Sequence, residues 1–171
     1  MSRYFIGYDL GSSSLKTALV EADSGEVVAV VKTPAAEMEI RAPLPGWAEQ
    51  DPNRWWECVC EGTREILSKT GIGREAVRGI GIAYQMHGLV CVDSAGEVLR
   101  PAIIWCDSRA VSIGQQAAKD IGQEKCLKNL LNLPGNFTAS KLKWVRDNEP
   151  DIYKRIHKIM LPGDYVAMKM T

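Results

Sequence analysis

A chain of 171 residues, 46% hydrophobic and 25% charged, has the size and composition of one globular domain able to bury its own core. Lysine plus arginine number 21 and aspartate plus glutamate 21, so the basic surplus of a dedicated nucleic-acid binder is absent. Five cysteines without zinc-site spacing, a start unlike a leader peptide, and no run near the ~18 apolar residues of a membrane span point to a reduced, cytoplasmic protein that makes no membrane contact.

Residues 4–8 read as an apolar strand ending on Asp9, residues 11–14 as a turn, and residues 15–20 as a second strand. The tight turn Asp23-Ser24-Gly25-Glu26 returns the chain into residues 27–31, making the opening an antiparallel three-stranded meander. Residues 34–50 form a loop too long for a plain connector. Asp51 as cap and Pro52 at the first helical position start a helix with Trp56, Val59, Thr63, Ile66 and Leu67 on one face, closed by Gly71.

Residues 77–84 read as a buried strand, and residues 89–92 and 98–99, around Asp93-Ser94-Ala95-Gly96, as a second hairpin. Ile103-Ile104-Trp105 is a short apolar segment, and Cys91 and Cys106 lie in apolar runs that suit core thiols. Beyond Asp107 the pattern is helical, with breaks at Gly122, Leu133-Pro134-Gly135 and Glu149-Pro150. A last strand in residues 156–161 precedes a helix from Gly163 capped by Asp164. No stop signal precedes Thr171, so the expectation is a truncated domain with a mixed-sheet α/β fold.

Asp9-Leu10-Gly11-Ser12-Ser13-Ser14-Leu15-Lys16 carries the clearest chemistry. Glycine lets an anion approach the backbone, serine hydroxyls and amides can cradle phosphate oxygens, and Lys16 adds positive charge. Asp9 suits Mg²⁺, directly or through water. The plain alternative is a serine-rich hairpin turn capped by Asp9. Neither a P-loop nor a dinucleotide fingerprint is present.

This motif resembles the first phosphate motif of the FGGY carbohydrate kinases, the sugar kinases related to glycerol kinase. Further similar segments follow in the family's order: Gly46-Trp47-Ala48-Glu49-Gln50-Asp51-Pro52, Gln85-Met86-His87-Gly88, Trp105-Cys106-Asp107-Ser108-Arg109, Lys141-Leu142-Lys143-Trp144 ahead of Asn148-Glu149-Pro150, and Leu161-Pro162-Gly163-Asp164-Tyr165. Within the family, Gln-Met-His-Gly is most similar to the xylulokinases.

The resemblance implies a ribonuclease-H-like, actin-type fold. Residues 1–171 would be the N-terminal part of a first, sugar-binding domain, and a second, nucleotide-binding domain would lie outside the chain. It implies ATP-dependent phosphorylation of a ketopentose, D-xylulose foremost, with ATP and Mg²⁺ required and a homodimer left open. A gluconate or ribulose kinase, or a non-catalytic actin-like module sensing sugar or nucleotide, are the alternatives.

The ATP phosphates would lie on Asp9, Gly11, Ser12, Ser13, Ser14 and Lys16. The sugar would meet Gln85, Met86, His87, Trp105, Asp107 and Asn136, with Arg109 in contact or orienting Asp107. Taken alone, His87 also reads as a satisfied core histidine, and Asp107 with Arg109 as a cap-plus-surface pair. The family's catalytic base, an aspartate in a later Gly-Asp segment, has no counterpart before Thr171.

Overall fold

The computed structural model describes residues 2–171. In chain order the elements begin with β1 (Tyr4–Leu10), β2 (Leu15–Glu21), β3 (Val27–Thr33), β4 (Glu49–Gln50), α1 (Pro52–Thr70) and β5 (Val77–Tyr84). They continue with β6 (Val90–Val92), β7 (Ala102–Ile103), α2 (Val111–Ile121), α3 (Gln123–Leu130), α4 (Thr138–Asn148), α5 (Pro150–Arg155), β8 (Lys158–Met160) and α6 (Pro162–Met170). Two compact units result: residues 2–39, Asn53–Gln85 and Gly163–Thr171 in the first, Ile40–Pro52 and Met86–Pro162 in the second.

The first unit holds the expected meander, because apolar residues alternate along its strands. Ile6, Tyr8 and Leu10 of β1 pair with Leu19, Thr17 and Leu15 of β2, and all six are buried. The sheet order is β3-β2-β1-β5, with β5 parallel to β1. Helix α1 lies on the buried face. A Cβ at Gly62 would stand 2.5 Å from Thr17 Oγ1, and the Thr33 hydroxyl donates to the Cys58 carbonyl at 3.0 Å.

That close approach sets which face of α1 is inside. Trp55, Cys58, Val59 and Ile66 are buried, whereas Trp56 is half-buried, so the expected stripe is rotated by one position. Gly71, at φ +68°, closes the helix as expected. β5 departs from expectation. None of its residues is buried and Ile80 is 55% exposed; β5 is an edge strand with one neighbour in the sheet. Asp164 is the third residue of α6 rather than its cap, and Gly163 packs against the Tyr84 ring.

In the second unit, β4 pairs with β7 and β6 with β8, all antiparallel. The hairpin after β6 is closed by Asp93, whose Oδ1 accepts the Ala95 and Glu97 amides, and by Gly96 at φ +80°. Its return segment makes only a bridge, Val98 to Val92. Leu89, Cys91, Ile103 and Val145 form the core. Cys91 is a core thiol, pushed up to about 11 by burial, but Cys106 is exposed in the turn after β7, correcting its expected burial. Among the described residues no helix is long and apolar enough to cross a membrane.

Candidate functional site

In the first unit, β1 and β2 are joined through Gly11, Ser12, Ser13 and Ser14. The Gly11 amide donates to the Ser14 carbonyl at 3.0 Å, and the Ser13 carbonyl accepts the Met38 amide at 2.8 Å. The Gly11 amide therefore serves the turn itself. Ser13 is exposed, Ser12 half-buried, and Ser14 buried.

Asp9 and Lys16 are cross-strand partners on the face opposite the core. Lys16 Nζ stands 3.5 Å from Asp9 Oδ2, and both side chains are exposed. Asp9 Oδ1 has no hydrogen-bond partner among the described residues. One accessible carboxylate fits Mg²⁺, an ion that keeps several waters and is commonly shared with substrate phosphates. No group of three or more His, Cys, Asp or Glu able to cage a resident metal occurs among the described residues.

The second unit gathers most of the expected sugar-side residues. Met86 is 63% exposed and Trp105 47%. His87 has φ +59°, and its ring stacks on Phe137 with centroids 5.1 Å apart. Asn136 donates through Nδ2 to the Trp105 carbonyl, while its Oδ1 is buried without a partner among the described residues. An unsatisfied buried acceptor of this kind suits a hydroxyl donor. Burial, then the Lys141 charge, hold the His87 imidazole below its usual range, so it is neutral at pH 7 with one donor and one acceptor. Gln85 belongs to the first unit, where its amide donates to the Leu10 carbonyl at 2.8 Å.

Asp107 departs from expectation, since its side chain reaches no surface of the second unit, whereas Arg109 takes the alternative of orienting Asp107. The Asp107 carboxylate is wholly buried, accepting the Ala48 amide at 2.6 Å, the Arg109 amide at 2.9 Å and the Arg109 guanidinium at 2.7 Å. That guanidinium also pairs with Glu49 at 2.8 Å and lies 3.6 Å from the centroid of the Trp47 ring. Arg100 links Glu49 at 2.5 Å to Glu149 at 2.9 Å. Both residues are internal framework, because the segment before β4 packs on the loop after β7. Ser108, whose amide and hydroxyl donate to the Gly46 carbonyl, marks the same junction.

Phe137 escaped the sequence reading, and Glu49 and Lys141 entered it only as members of similar segments, without a role. Lys141 has a faint signal in its sequence position, four residues before buried Val145 and three before Trp144, where an apolar residue would be expected. Its Nζ donates to the carbonyls of His87 at 2.7 Å and Asn136 at 3.2 Å. Burial lowers its pKa to about 8, against the favourable charge of Asp107.

An antiparallel meander extended by a parallel strand and backed by a helix is the opening of the ribonuclease-H-like, actin-type fold. A xyloylose kinase from Brucella ovis superimposes with a TM-score of 0.86 at 34% identity, over 97% of this chain and 34% of that one. Residues 4–171 match the FGGY family of carbohydrate kinases, N-terminal domain, and the chain belongs to this family. It is 37% identical over 167 residues to the xylulose kinase of Escherichia coli K12 and 39% over 173 to that of Staphylococcus xylosus, covering 98% of this chain each time. The chain spans about a third of the length of these curated relatives, 33% and 34%.

Proposed function

We propose that these residues are the N-terminal part of the sugar-binding domain of an ATP-dependent kinase that phosphorylates D-xylulose at its terminal hydroxyl in the cytoplasm. The carrying observation is the gathering of His87, Asn136 and Trp105 in one unit, with a neutral imidazole and an unsatisfied amide oxygen. Hydroxyl groups are recognised by such mixed donor–acceptor sets, and the exposed Trp105 offers an apolar face for a sugar's carbon skeleton.

The ATP phosphates lie at the turn of Ser12, Ser13 and Ser14, with Lys16 offsetting their charge and Asp9 holding Mg²⁺. When bound, Mg²⁺ neutralises charge on the transferring phosphoryl group. Within this reading the nucleotide-binding domain and the base that takes the hydroxyl proton are supplied by other residues. The present chain contributes binding and alignment.

Coupled ADP release by the full-length enzyme carrying these residues tests the proposal. D-xylulose should turn over faster than gluconate, ribulose or glycerol, and a preference for glycerol would sink the xylulose assignment. The chain by itself should show negligible turnover, because general-base assistance is typically worth about 10²–10⁴-fold. Turnover within about tenfold of the full-length enzyme would mean that a base resides in these residues.

A further inference from the structure

Lys141 has no solvent access, and an ammonium so deep needs its donors satisfied. No carboxylate pairs with it among the described residues. Its partners are the backbone carbonyls of His87 and Asn136. These belong to loops distant in sequence, each bearing a candidate sugar contact. His87 holds a left-handed backbone, which a non-glycine residue keeps only when its surroundings impose it. Asn136 passes the constraint to Trp105 through its bond to that carbonyl. One ammonium thus ties three of the sugar-side residues together.

Building on the sugar-site reading, we infer that Lys141 is a positioning residue whose paired bonds lock the His87 and Asn136 loops in the geometry that receives the substrate. It acts through these backbones, not on the sugar. Charged and titratable groups face it from the loop after β7, where Asp107 and Cys106 favour the ammonium and Arg109 opposes it; the His87 imidazole beside it is neutral in this range. Burial outweighs them and brings the proton off at about pH 8. The neutral amine still donates, but a charge-assisted bond is roughly twice as strong as a neutral one, so the lock loosens as pH rises.

Nitrogen-15 NMR of the chain reads the lock directly, because the amides of Gly88 and Phe137 directly follow the two carbonyls. Both should shift with a common midpoint near pH 8 in the unmodified protein. The step should vanish in Lys141→Met and also in Lys141→Arg, where the charge persists. By calorimetry at pH 7, Lys141→Met should bind D-xylulose at least about tenfold more weakly, with partial recovery in Lys141→Arg. Val145→Ala, a buried neighbour on α4, should change neither affinity nor midpoint despite lower stability.

Absence of the shared step in the unmodified protein overturns the inference without needing any variant. Unchanged xylulose affinity in Lys141→Met does the same. A shared step in a protein that binds no pentulose would retain the lock and remove the sugar reading. Normal pentulose binding without the step would do the reverse.

Discussion

Asp9 and Asp107 are aspartates from two motifs of the same family, and the fold treats them in opposite ways. Asp9 sits on an exposed sheet face, loosely paired with Lys16 at 3.5 Å and keeping one oxygen without a partner among the described residues. Asp107 is sealed inside the second unit, its oxygens taken up by the Ala48 amide and Arg109. Burial divides the roles. An exposed carboxylate remains available to a cation and its phosphates, whereas a buried one is committed to its partners and holds chain segments together. The turn between β1 and β2 is thus a solvated rim, and the second unit is built on an internal polar framework.

The sharpest way to break this contrast is to remove each carboxylate. Asp107→Ala leaves the Arg109 guanidinium buried beside Trp47, and should lower stability by about 3–5 kcal/mol in urea unfolding. A loss under about 1 kcal/mol would mean that Asp107 is not framework.

Lys141 extends the same contrast into pH. Its pKa is about 8 when folded against 10.5 in free lysine. Below pH 8 both states carry the proton, and between these values chiefly the unfolded state does. Unfolding then takes up a proton, so stability rises with pH across that window, by about 3 kcal/mol. The unmodified protein minus Lys141→Met isolates this rise. Cys91, raised from 9.0 to about 11, pulls stability the other way at high pH in both proteins. A flat difference would show that buried Lys141 keeps its proton as firmly as free lysine, so that burial does not lower its pKa.

A smaller effect is expected where the first unit is packed most closely. Gly62→Ala adds a methyl 2.5 Å from Thr17 Oγ1, and should cost about 1–2 kcal/mol by chemical denaturation despite alanine's helix preference. Stabilisation instead would mean that α1 can shift away from β2 freely.

The smallest stability change belongs to Asp9→Asn, under about 1 kcal/mol, as its pair is solvated and screened. In the full-length enzyme the same change should lower turnover strongly with little effect on sugar affinity. Parallel loss of sugar binding at unchanged stability would contradict its assignment to the phosphate side.

The meander, the start of α1 at Pro52, its closure at Gly71 and the helix breaks at Gly122 and Pro134 could all be read from the chain, since each rests on residues close in sequence. Alternation and turn chemistry decide them locally. Asp9 and Lys16 were legible as the flanks of one turn, whereas their pairing across the two strands was given only by the structure. What stayed hidden was burial. The edge position of β5, the turn of α1 onto Trp55, and the internal fate of Asp107 and Arg109 depend on segments tens of residues away. Periodicity cannot say whether a carboxylate beside an arginine faces water or a tryptophan ring. Likewise a lysine in an amphipathic helix reads as a solvated charge until two distant carbonyls are found waiting for it. Sequence pattern specified the elements and the motif chemistry, while tertiary contact alone decided which polar groups were withdrawn from solvent, because desolvation is set by everything that packs around a group.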